Sequence, residues 1–193
     1  MTETYDFQDG KGPVPAHRHT NPDGFFGGWV ANTATVADTA YIGKHAKVFG
    51  NAKVFGTAEV FGFAKVFGNA KVFGNAKVFG SARVSGDALV FGNAKVYGSA
   101  YVSGDALVCG DAKVFGNAEV LDNAEVFGNA KVYGSAYVSG DAKVYEEPKE
   151  EMSLNTEYKV VQVLQLLEDL GLEELNVTKV MCEVLIKKSE NNE

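Results

Sequence analysis

An apolar β-branched residue stands at every sixth position from Val30 through Val36, Ile42 and Val48 to Val144, without an insertion. Alanine keeps the same step from Ala34 to Ala142, and glycine fills most of the sites two after each valine. The unit reads Val-Phe-Gly-Asn-Ala-Lys, as in Val48 to Lys53. Six residues are too few for a helix and a turn, but they suit a short strand closed by a Gly-Asn or Gly-Asp corner. Side chains on a strand alternate, so Ala and Val share one side and the Lys-type and Phe-type residues share the other. Lys47, Lys53, Lys65, Lys71, Lys77, Lys95, Lys113 and Lys131 would be far too costly in an apolar core. Ala and Val therefore point inward.

One such unit cannot bury its inward face, so repeats must stack, each strand pairing with its equivalent one coil later. The coil length is legible in the decoration. Residues 75–90 (NAKVFGSARVSGDALV) recur as 93–108 (NAKVYGSAYVSGDALV), a shift of 18, and again at 129–144. Three sixes per coil predict a triangular, all-β rod. With strands about 4.8 Å apart, residues 30–145 make about six coils and a rod on the order of 30 Å long.

An aliphatic residue followed four positions later by a small one resembles the hexapeptide-repeat signature of left-handed parallel β-helices, the fold of the hexapeptide acyltransferases. The resemblance covers residues 30–145 and implies the left hand, which the period alone does not show. Pro15-Ala16-His17-Arg18-His19 and Gly27-Gly28-Trp29-Val30 resemble the lead-in of uncharacterised hexapeptide-repeat proteins of bacterial and phage genomes.

Four segments are expected. Residues 1–29 are rich in Gly, Pro and Asp and lack a period; they read as a cap over the first coil, with Trp29 or Phe25 and Phe26 plugging its mouth. Residues 30–145 are the β-helix. Residues 146–154 break the repeat with proline and charge and read as a linker. Residues 155–193 change to a helical period, with Val160, Val163, Leu164, Leu167 and Leu170 on one face. They predict a small α-helical hairpin that serves assembly or partner docking.

The net charge of −7 is unevenly placed: residues 1–29 carry −2, residues 30–145 carry +2 and residues 146–193 carry −7. That distribution argues against nucleic acid as the partner. Cys109 and Cys182 suggest no disulfide framework, no cleavable signal pattern opens the chain, and no run of eighteen apolar residues occurs. A cytoplasmic protein without a membrane partner is the expectation, in the host cytoplasm if the chain is phage-borne.

The outward position after each valine sorts by face. The first face reads Phe49, Phe67, Ser85, Ser103, Leu121, Ser139; the second Phe55, Phe73, Phe91, Cys109, Phe127, Tyr145; the third Phe61, Phe79, Tyr97, Phe115, Tyr133. Two faces thus carry aromatic ladders. Rings stacked from coil to coil stabilise a solenoid, and contiguous apolar stripes also mark interfaces. The third ladder is flanked by Glu59, Lys77, Lys95, Lys113 and Lys131. This column is either a solvated face that discourages stray edge pairing or one wall of a groove for an anionic or ring-bearing ligand.

Hexapeptide acyltransferases commonly associate as trimers and use a histidine base at a subunit interface, so the resemblance implies a homotrimer and raises the question of catalysis. The one histidine within the repeats is His45, at a corner of the first coil, and no loop is extruded to wall a site beside it. The γ-class carbonic anhydrases share the fold and bind zinc through three histidines. Here His17 and His19 fall outside the repeats and are candidate metal ligands that lack a third. Cys109 interrupts its ladder and reads as packing, not as a nucleophile. No cofactor is implied. The reading is a non-catalytic rigid scaffold or binding protein, homotrimeric, possessing surface ladders that engage a host protein or nucleotide-type ligand. The alternative is an acyltransferase built around His45. Ice binding would need flat threonine arrays, which the Phe and Lys columns replace.

Overall fold

The computed structural model describes residues 3–146. It is an all-β parallel solenoid of about seven turns. Three sheets form its faces. The first runs through β1 (Thr4–Asp6), β2 (Pro13–Thr20) and β3 (Phe26–Ala31) to β6 (Lys47–Val48) and on to Tyr137–Val138, nine strands in all. The second has seven strands, from β4 (Thr35–Val36) to Lys143–Glu146. The third has six, from β5 (Tyr41–Ile42) to Lys131–Val132.

The 18-residue shift is the register. Lys53 pairs with Lys71 and Lys71 with Leu89, Lys77 with Lys95 and Lys95 with Lys113, all parallel. The outward residues donate to carbonyls of the next coil: Lys53 N–H to Ala70 O at 2.9 Å and Phe55 N–H to Val72 O at 3.0 Å. The inward Val and Ala side chains form one continuous core, solvent-free from Val48 to Val126. Alanine keeps the triangle narrow, and valine fills it with a branched side chain suited to strands.

Corners turn on glycine. Gly68 has φ +70°, and a Cβ there would meet Gly86 N at 3.0 Å and Gly86 O at 3.1 Å. Glycine therefore serves twice, for the left-handed backbone and for the rise between coils. Asp122 takes the same conformation (φ 57°), and its Oδ2 accepts the Gly140 N–H at 3.1 Å. Side-chain amides also link the corners: Asn51 donates to Asn69 and Asn69 to Asp87, while Asn75 donates to Asn93 and Asn93 to Asp111.

The N-terminal segment differs from the plug expected of it. β2 pairs antiparallel with β3, which pairs parallel with β6, so the segment prolongs the first sheet beyond its first coil. Trp29 stands in register with Lys47 and therefore faces outward, stacked on Tyr5 at 4.5 Å with the Arg18 guanidinium 4.6 Å over its ring. Phe25 and Phe26 are 73% and 75% exposed. The edge of the third sheet is instead met by polar groups. Asn21 accepts the Ile42 N–H at 2.8 Å and donates to Ile42 O at 3.1 Å, standing in for a neighbouring strand. His19 donates to Ala40 O at 3.0 Å. Gly27 and Gly28 explain the lead-in motif: a Cβ on either would lie 2.1 Å from a first-coil carbonyl, that of Ile42 or Ala46. The linker beyond residue 146 and the expected helical hairpin lie outside the described residues.

Candidate functional site

On the third face the alternation of the strand sets every ring of the ladder outward, and the 18-residue coil sets them one above another. Phe61, Phe79, Tyr97, Phe115 and Tyr133 stack with centroids 4.9, 4.8, 4.8 and 5.4 Å apart, the first three pairs within 2° of parallel. The spacing is that of the sheet itself, so the rings inherit their stacking from the backbone. Each of the first four is half-buried by its neighbours, whereas Tyr133 at the end of the row is exposed.

Beside the rings runs the lysine column. Lys77 Nζ donates to Glu59 Oε1 at 2.8 Å. Lys95, Lys113 and Lys131 follow in register below it, and among the described residues they meet no carboxylate within salt-bridge distance. The structure thus brings together all nine residues singled out on this face, as two parallel columns of one sheet. Three adjacent ammonium groups that meet no carboxylate among the described residues run beside an unbroken row of ring edges, an arrangement with positive charge and apolar surface side by side.

The other two faces differ. On the first, the Phe49–Phe67 stack is covered by Phe7, whose ring lies 4.8 Å from that of Phe49. Farther down, Ser85 is buried, and its hydroxyl is hydrogen-bonded to both Tyr101 Oη at 3.0 Å and Ser103 Oγ at 3.1 Å, donating one bond and accepting the other. Lys65 lies between Lys47 and Arg83 on this face, and its ammonium is held below the usual lysine range by burial and then by those two cations. On the second, Phe55, Phe73 and Phe91 stack at 4.8 Å, Cys109 follows, and Phe127 and Tyr145 resume at 5.3 Å. Burial and then the Glu125 carboxylate push the Cys109 thiol up, away from the thiolate that nucleophilic chemistry needs.

The histidines are dispersed. His45 is exposed at its corner and stacks on Phe63 at 5.3 Å. His17 Nδ1 is hydrogen-bonded to Asn32 Oδ1 at 2.9 Å, and His19 is the buried partner of Ala40 already described. Among the described residues no group of three or more His, Cys, Asp or Glu side chains is gathered to hold a metal. Phe7 and Asn21 act from the segment without a period, and the repeat pattern marks neither residue itself.

Comparison with known families finds a local resemblance. A family model described as the YdcK Beta solenoid repeat matches residues 82–98. The match falls within a single coil, from the first sheet to the third, and agrees with the stacked-coil architecture. No curated protein matches the chain. No helix among the described residues is long and apolar enough to cross a membrane.

Proposed function

We propose that the protein is a non-catalytic, rigid scaffold that self-associates as a homotrimer and binds a nucleotide-type ligand. The third-face ladder is the contact surface between copies. Its lysine column borders the groove between them. The unbroken stack from Phe61 to Tyr133, alongside Lys95, Lys113 and Lys131, which meet no carboxylate among the described residues, carries this reading. An apolar stripe of five rungs suits burial between subunits, while an ammonium row at its margin suits the phosphate of a ligand held in the groove. The likeness of the lead-in to phage and bacterial repeat proteins supports a setting in which a host nucleotide signal or host protein is the target.

The test is fluorescence anisotropy of a labelled mononucleotide with the full chain. Binding that falls at least tenfold in the Lys95→Glu, Lys113→Glu double variant is expected. Absence of binding, or equal binding by wild type and variant, refutes the ligand assignment.

A further inference from the structure

The second-face ladder lacks one ring. Phe91 and Phe127 are two coils apart, about 9.6 Å at the usual strand spacing, with Cys109 at the rung between them. Everywhere else along this ladder from Phe55 to Tyr145, rings follow one another at 4.8–5.3 Å. The gap is therefore one ring thick at the ladder's own pitch.

A second change coincides with it. The outward column beside this ladder is charged above and below, with Lys53 and Lys71, then Glu125 and Lys143, but it holds Leu89 in the coil above the gap and Leu107 in the gap's own coil. Those leucines pair in register and are half-buried. The ring is removed and the charge is removed at the same place, which leaves an apolar notch with a ring above, a ring below and two leucines along one side. Glu125 continues this column one coil below Leu107, and its carboxylate is ion-paired with Lys143, Oε1 to Nζ at 3.1 Å, at the margin of the notch.

The molecule shows what fills such a notch. On the first face Ala31 occupies the rung above Phe49, and there a ring arrives from another segment: Phe7 stacks on Phe49 at 4.8 Å, and Ala31, Phe7 and Phe49 form one buried cluster. At Ser85, another small residue in a ring column, Tyr101 reaches over and bonds to the hydroxyl. Cys109 has the same position in its ladder as Ala31 and Ser85 have in theirs, and its sulfur suits the edge or face of an aromatic.

We propose that the vacant rung at Cys109 is a binding slot for a flat aromatic ring, sandwiched between Phe91 and Phe127 against Leu89 and Leu107. A ring with an N–H at its rim is favoured, because the Glu125 carboxylate has a second oxygen beside the one that meets Lys143. Indole is the simplest member of this class. The slot lies on a different face from the lysine strip and does not depend on the role proposed for that strip.

The test is a titration of the full chain with indole, followed by methyl NMR of the leucines. Saturable shifts at Leu89 and Leu107, with a dissociation constant on the order of 1 mM for so small a ring, are expected. Cys109→Phe completes the ladder and abolishes the shifts while raising the melting temperature. Cys109→Ala keeps the slot open and keeps binding within about threefold, which excludes a folding defect as the cause of loss. Shifts that do not saturate, or that persist in Cys109→Phe, overturn the proposal.

Discussion

Substituting alanine for glycine at two corners separates the backbone and stacking demands of the coil. Gly68 and Gly134 have nearly the same φ, +70° and +68°. A Cβ on Gly68 would press on Gly86 at 3.0–3.1 Å, whereas a Cβ on Gly134 meets nothing within 4 Å among the described residues. The left-handed conformation costs an L-residue about 1–2 kcal/mol, partly offset by about 0.4–1 kcal/mol from the stiffer unfolded chain. Gly134→Ala should therefore destabilise by about 1 kcal/mol. Gly68→Ala adds the overpacking of one coil against the next, about 1–3 kcal/mol, because the atoms it meets are backbone and yield only by prying the rungs apart. Each kcal/mol lowers the melting temperature of a chain this size by about 2–4 °C. Thermal melts followed by circular dichroism should place Gly68→Ala several degrees below Gly134→Ala. Equal losses would mean that φ alone explains the glycines and that the coils do not press on one another at the corners.

Further perturbations test single contacts. Asn21→Ala leaves the N–H and C=O of Ile42 without their described partner and should cost about 1–3 kcal/mol, read as faster amide exchange at Ile42; unchanged exchange would dismiss the strand-like role of Asn21. Lys65 has its folded pKa lowered, first by burial and then by Lys47 and Arg83. Between the folded and unfolded pKa values the unfolded chain binds more protons, so stability rises with pH there. Lys65→Met should raise the melting temperature at neutral pH and flatten that alkaline rise; a lower melting temperature at neutral pH counts against like-charge crowding. For Cys109 the folded pKa is raised by burial and then by Glu125, so its contribution is present below the unfolded pKa and is lost as pH rises through the folded one. In a Cys182→Ser background, alkylation at mildly alkaline pH should be slower in the native than in the denatured protein and should quicken in Glu125→Gln; no change in the variant would remove the carboxylate from the thiol's surroundings.

The fold was legible because the repeat encodes it twice. Val and Ala at fixed steps named the core, and the recurrence of residues 75–90 at 93–108 named the register in which Lys77 meets Lys95 and Leu89 meets Leu107. The same logic shows Trp29 to be outward, since it precedes Val30 as Lys47 precedes Val48, and treating it as part of an aperiodic plug concealed that. The polar edge cover was not legible: Asn21 bonds to Ile42 through its side chain, and no spacing rule links a residue in a Pro-Asp-Gly turn to a strand 21 positions later. Phe7 left only an indirect trace, the Ala31 that stands where its column holds rings. The ladders and lysine column followed from alternation alone, whereas what they contact depends on surfaces that repeat without distinguishing marks.

The central claim, that the third-face ladder joins copies of the chain, is tested most directly by the absolute mass in solution, measured by light scattering for wild type and for Tyr97→Glu at the middle of the stack. The account predicts three times the chain mass of 20.6 kDa for wild type and a single chain mass for a folded Tyr97→Glu. A monomeric wild type, or a variant that keeps the wild-type mass, would contradict it.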